Sequence, residues 1–204
     1  MIRVLLADDH EIVRDGLKRI LAATADVQVA GEAASGDEAL ALVKANDYDV
    51  ALLDMSMPGL AGIDLIKRLK IERPALKLLV LSMHGEHQYA ARALKAGASG
   101  YLTKDSASEM LLNALRKIAA GGVHVSDAAA AGLVSAQRAP HQALSDREFE
   151  VLRLLASGRS PTEIAEQLHL SVKTVSTHKA NLQEKLGLAG TADLVRYALE
   201  QKLI

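Results

Sequence analysis

Residues 50–59 read VALLDMSMPG: four apolar residues, an aspartate, and a turn closed by Pro58-Gly59. An apolar run this short, ended by turn residues, reads as a buried strand with Asp54 at its carboxyl end. The same grammar recurs outward from it. The chain opens MIRVLLADDH, apolar over 2–7 and then Asp8-Asp9; further runs lie at 27–32, at 78–81 before Ser82, and at 100–102 just before Lys104. Between them, segments such as 12–21 and 39–44 carry apolar residues at helical spacing. Five strands alternating with five helices predict an α/β domain over 1–121: a five-stranded parallel sheet, order 2-1-3-4-5, wrapped on both faces.

The pattern then breaks. Gly121-Gly122 ends the fifth helix, 126–135 is Ala-rich with the composition of one more short helix, and 137–143 is polar and contains Pro140. This makes 122–143 a linker. No strand signal follows Leu144, so 144–204 reads as a small all-α domain. Ser followed three residues on by Glu, a capping box, marks helix starts at Ser35/Glu38, Ser106/Glu109, Ser145/Glu148 and Ser160/Glu163. Pro161 sits at a first helical position, and Gly97, Gly158 and Gly187 stand where helices should stop.

Composition narrows the function. The chain has 204 residues, 50% hydrophobic but only 2% aromatic, so its cores are aliphatic. Absence of cysteine excludes disulfides, thiolate metal sites and a cysteine nucleophile. No apolar run approaches the ~20 residues of a membrane span, and the N-terminus lacks secretory character, so a cytoplasmic protein without membrane contact is expected.

In an open parallel sheet the site lies outside the carboxyl ends of the strands. The first and third strands being neighbours, Asp8, Asp9 and Asp54 crowd one pocket, with Ser82 and Lys104 on its rim. Three such carboxylates call for a cation, and their oxygen donors suit Mg²⁺ or Mn²⁺. A metal, a lysine and a hydroxyl together form a receptacle for a phosphoryl group, with Asp54 as nucleophile.

ADDH at 7–10, LLDMSMPG at 52–59, VLS at 80–82 and YLTK at 101–104 resemble the flavodoxin-like receiver domain of two-component response regulators. The resemblance implies that Asp54 accepts phosphate from a sensor histidine kinase. It implies Mg²⁺ held by Asp9, Asp54 and the backbone carbonyl of Ser56, with Asp8 assisting. Lys104 would pair with phosphoryl oxygens. Ser82 would swing towards the phosphoryl group and Tyr101 follow inward as the switch aromatic; the alternative for Tyr101 is a half-buried strand residue that never moves. Ser56 and His84 match positions that tune phosphoryl lifetime. Asp105 stands where many receivers have proline, leaving the isomer of the Lys104–Asp105 bond open.

In the second domain a helix from Ser160 to about His169 and another capped by Ser171 have helix-turn-helix spacing. On the second helix Val172, Val175, Leu182 and Leu186 are expected in the core. Opposite lie Lys173, Ser176, Thr177, Ala180, Asn181 and Glu184, a flat face able to enter a major groove or simply to be solvated. Residues 141–204 carry eight Lys/Arg against eight Asp/Glu, so no basic footprint decides the matter. LSDREFEVLRLLASG and EIAEQLHLSVKTVSTHKANLQEKLG resemble the LuxR-type helix-turn-helix of NarL/FixJ response regulators. By that resemblance Ser176, Thr177 and Ala180 face bases. Lys173 belongs to the DNA face, and Thr174, His178 and Lys179 contact or support phosphates, His178 being equally readable as a packing residue. The segment 191–203 would carry a dimer contact through Leu194, Val195 and Ala198, the alternative being packing within its own domain, which part of the stripe is expected to do.

The reading is therefore a transcription regulator and not an enzyme, with promoter DNA, a sensor kinase, a phosphorylation-driven homodimer and RNA polymerase as partners. A haloacid-dehalogenase-like phosphatase would want a second Asp at position 56, where Ser stands, and would leave the helix-turn-helix unexplained. A receiver that never takes phosphate is opposed by the intact Asp9, Asp54, Ser82 and Lys104. A metal site at His84 and His87 is the weakest match; loop histidines are commonly solvated.

Overall fold

The computed structural model describes residues 1–82, 87–104, 108–125, 140–201 and 203–204, with backbone alone at 87–89. The first domain alternates as expected: β1 (Ile2–Ala7), α1 (Glu11–Ala22), β2 (Val27–Ala33), α2 (Gly36–Ala45), β3 (Val50–Asp54), α3 (Gly62–Glu72), β4 (Lys77–Ser82), α4 (His87–Lys95), β5 (Gly100–Thr103) and α5 (Ser108–Ala119). A two-residue strand, β6 (His124–Val125), pairs parallel with β5. The sheet thus runs β2-β1-β3-β4-β5-β6, one strand beyond the five expected, the addition falling in the stretch read as linker. Two residues so close behind a pair of glycines carry no periodicity, so no pattern could have announced the strand. The expectations placed on His84, on the Ser106 cap, on the Lys104–Asp105 bond and on a short helix at 126–135 fall outside the described residues.

Alternation along the strands divides the core. Leu5, Ala7, Ala51, Leu53, Leu78, Val80 and Tyr101 face α2, α3 and α4, while Val4, Leu6, Leu52, Leu79, Leu81 and Leu102 face α1 and α5. All five residues of β3 are buried, as a central parallel strand requires. The β3–α3 loop is clamped by the start of α2: the Gly36 N–H donates to the Pro58 carbonyl and the Leu60 N–H to Asp37 Oδ2. A Cβ at Gly36 would lie 1.5 Å from the Leu60 carbonyl oxygen, so only glycine fits there.

After a 3₁₀ turn (Pro140–Ala143) come α6 (Asp146–Ala156), α7 (Pro161–Leu168), α8 (Val172–Leu186) and α9 (Thr191–Glu200). Ser145 and Ser160 form the expected capping boxes, and Gly158 and Gly187 follow helix ends with φ of +84° and +67°. Helix α7 ends on His169, whose φ of 51° is left-handed without being glycine. On α8, Val175 and Leu182 are buried and Leu186 is half-buried, as the stripe requires. Val172, expected in the core, is 44% exposed because it opens α8 before the helix meets its neighbours. Among the described residues no helix is long and apolar enough to cross a membrane.

The two domains touch through α3, α4 and α6. Arg92 of α4 donates to the carbonyls of Leu144 (3.1 Å) and His141 (2.8 Å), pairs with Asp146 at 3.0 Å, and lies 4.3 Å from the Phe149 ring centroid. Lys67 pairs with Asp146 and Arg147 with Asp64.

Candidate functional site

Strand register assembles the pocket. Ala7 lies opposite Leu53, Asp54 opposite Leu81 and Ser82 opposite Thr103, so Asp8, Asp54, Ser82 and Lys104 reach one end of the sheet together. Asp8 and Asp54 are each 2% exposed. Lys104 Nζ stands 2.6 Å from Asp8 Oδ2 and 3.0 Å from Asp54 Oδ2, bridging both carboxylates. The Lys104 N–H donates to the Ser82 carbonyl at 2.7 Å, which ties the two rim residues through backbone. Asp9 is more accessible, at 30%. The Ser56 N–H donates to Asp54 Oδ1 at 3.3 Å.

Electrostatics follow from burial. Desolvation pushes the Asp54 carboxyl up, against the opposing pull of Lys104. Burial alone would lower the Lys104 ammonium, but hydrogen bonds to Asp8 and Asp54 outweigh it and hold the amine above its ordinary value. One ammonium is thus set among three carboxylates, an arrangement with a place for a further cation. Asp8, Asp9, His10 and Asp54 offer one ligand atom each, all within 4.8 Å of one another. The donors fit a hard divalent ion.

Two features escaped sequence reasoning. His10 joins the acidic cluster, although ADDH displayed it openly beside the aspartates. Arg14 donates to the Asp8 carbonyl at 2.7 Å and steadies the β1–α1 loop, a role that helical spacing does not reveal. Tyr101 is 3% exposed, already buried among core side chains rather than half-buried or waiting outside.

In the second domain α7 and α8 are separated by three residues, His169 to Ser171. Lys173, Ser176, Thr177 and Ala180 are exposed on α8, with Thr174, His178 and Lys179 half-buried beside them. Ser176 donates to the Val172 carbonyl and Thr177 to the Lys173 carbonyl, so each hydroxyl proton is used within α8 and its oxygen keeps acceptor capacity. Lys179 donates to Thr191 Oγ1 at 2.7 Å, and Lys185 is paired with Glu148 at 2.7 Å. Leu194 and Ala198 are each 0% exposed, inside their own domain, which removes them as dimer contacts; Val195 is half-buried and Leu199 is 58% exposed. The helical stripe is real, but half of it packs inward.

Residues 4–116 match the response regulator receiver domain, and residues 142–198 match the bacterial regulatory proteins of the luxR family. Response regulator UvrY of Escherichia coli O6:H1 is 35% identical, over 100% of this chain and 96% of that one. Oxygen regulatory protein NreC of Staphylococcus carnosus is 36% identical, over 99% of each chain. RcsB of Salmonella enterica serovar Typhimurium, solved bound to promoter rprA with the phosphomimetic BeF3⁻, superposes with a TM-score of 0.72 at 32% identity, covering 96% of this chain and 97% of that one.

Proposed function

We propose that this chain, which belongs to the DNA-binding response regulators that join a receiver to a LuxR-family domain, takes its phosphoryl group on Asp54. The observation that carries the reading is the Lys104 ammonium shared between buried Asp8 and Asp54. An Asp54 oxygen attacks the phosphorus of a phosphohistidine on a sensor kinase; the P–N bond breaks and the imidazole leaves. Lys104 then turns from the Asp54 carboxylate to the new phosphoryl oxygens, and the Ser82 hydroxyl donates to them. Asp8, Asp9, Asp54 and the Ser56 carbonyl would hold Mg²⁺ or Mn²⁺, which neutralises charge on the transferring group. The same pocket assists hydrolysis of the acyl phosphate.

Output runs through α8. Ser176, Thr177 and Ala180 meet base edges, and Lys173, Thr174, His178 and Lys179 meet or support phosphates. Hydroxyl oxygens with acceptor capacity favour donors such as the cytosine or adenine amino groups. A cytoplasmic homodimer formed on phosphorylation binds promoter DNA and contacts RNA polymerase. Incubation with acetyl phosphate and Mg²⁺ should add one phosphoryl mass to the wild type and none to Asp54→Asn or to chelated protein. Full labelling of Asp54→Asn would move the nucleophile elsewhere.

A further inference from the structure

We propose that the cleft between the two domains binds a small phosphate monoester, and that the bound ligand holds the domains together. The cleft has a volume of about 370 Å³, within the range of small-molecule sites. Helices α3 and α4 bring Lys67, Arg92 and Lys95 to it, and the start of the second domain brings Leu144 and Asp146. Asp146 is the one carboxylate among the described lining residues, so three cations face a single negative charge. That carboxylate is already shared between Lys67 and Arg92. Lys95 is exposed and makes no ion pair among the described residues. Arg92 is 8% exposed, and its Nε–H meets no acceptor among the described residues. The positive charge of the cleft is therefore only partly answered from within the protein.

A phosphate monoester carries about −1.5 to −2 charge at pH 7 and three acceptor oxygens, which matches that excess. A single carboxylate brings half the charge. Inorganic phosphate supplies the charge but leaves the apolar wall of Ile63, Ala96 and Leu144 in water; an organic group on the ester covers it. Because the lining comes from both domains, the site is complete only when they are docked. A ligand that binds that arrangement alone favours it by mass action.

The full chain, without divalent ions or a phosphoryl donor, is titrated with phenyl phosphate and followed by calorimetry and amide NMR. Saturable shifts should centre on residues 63–67, 92–96 and 144–146. Phenyl sulfate, of similar shape with one charge, should bind about tenfold more weakly, and inorganic phosphate should also bind more weakly than the ester. Lys95→Gln leaves the Arg92 contacts in place and should lower phenyl phosphate affinity about fivefold. At saturation, amides of 141–148 should exchange more slowly. Absence of binding, shifts centred instead on residues 8, 54 and 104 or on α8, equal affinity for phenyl sulfate, or unchanged affinity in Lys95→Gln would each overturn the site. Saturation of the cleft with unchanged exchange at 141–148 would overturn the hold on the domains.

Discussion

Lys104 and Asp54 show how one residue's chemistry trades against folding. Burial disfavours the Asp54 carboxylate, so its folded pKa lies above the unfolded value. Stability from that group is present at low pH and lost as pH rises through the folded pKa. A neutral isostere removes the cost. At pH 7 without divalent ions, Asp54→Asn should therefore match the wild type or exceed it by about 1 kcal/mol. Lys104→Met leaves two buried carboxylates unpaired and should lose about 3–5 kcal/mol. Calorimetry on both variants decides it; equal losses would mean that Lys104 does not balance the pair.

At the scale of elements, His141 joins the linker to α9. Its ring is 0% exposed, and Nδ1 lies 2.8 Å from the Tyr197 hydroxyl. Burial, with Arg92 adding repulsion, pushes the imidazole down to about 4. The folded state thus binds fewer protons than the unfolded chain, so stability is full above the unfolded pKa and is lost as pH falls from about 6.5 towards 4, by about 3 kcal/mol at most. Urea midpoints should fall more steeply over that window in the wild type than in His141→Phe; equal slopes would mean that another group titrates. Sequence reasoning located the elements because caps, glycine stops and strand-end polar residues are local signals. It missed this bond, misplaced Val172, and left Leu194 and Ala198 between a dimer face and the domain core, because periodicity defines a stripe without saying which neighbour covers it.

At the scale of the molecule, Arg92 clasps the two domains. It is 8% exposed, and its guanidinium holds the linker at His141 and the start of the DNA-binding domain at Leu144 and Asp146. Beside it an open cleft of about 370 Å³ runs along the domain boundary among Ile63, Lys67, Lys95, Leu144 and Asp146. Ser176, Thr177 and Ala180 stay exposed on α8, so the clasp restrains the second domain without covering the residues proposed to face bases. Through the His141 carbonyl and the bond from its ring to Tyr197, the restraint extends to α9. Lysine would keep the charge but lose the forked geometry that reaches three acceptors at once. Arg92→Ala should loosen the domains by about 3–5 kcal/mol of lost buried pairing, and Arg92→Lys should recover only part. Small-angle scattering should show a larger radius of gyration for Arg92→Ala, and amides of 141–148 should exchange faster, while both receiver and helical cores stay folded. An unchanged radius with unchanged exchange would mean that the apolar contacts around Phe149, and not the guanidinium, hold the domains together.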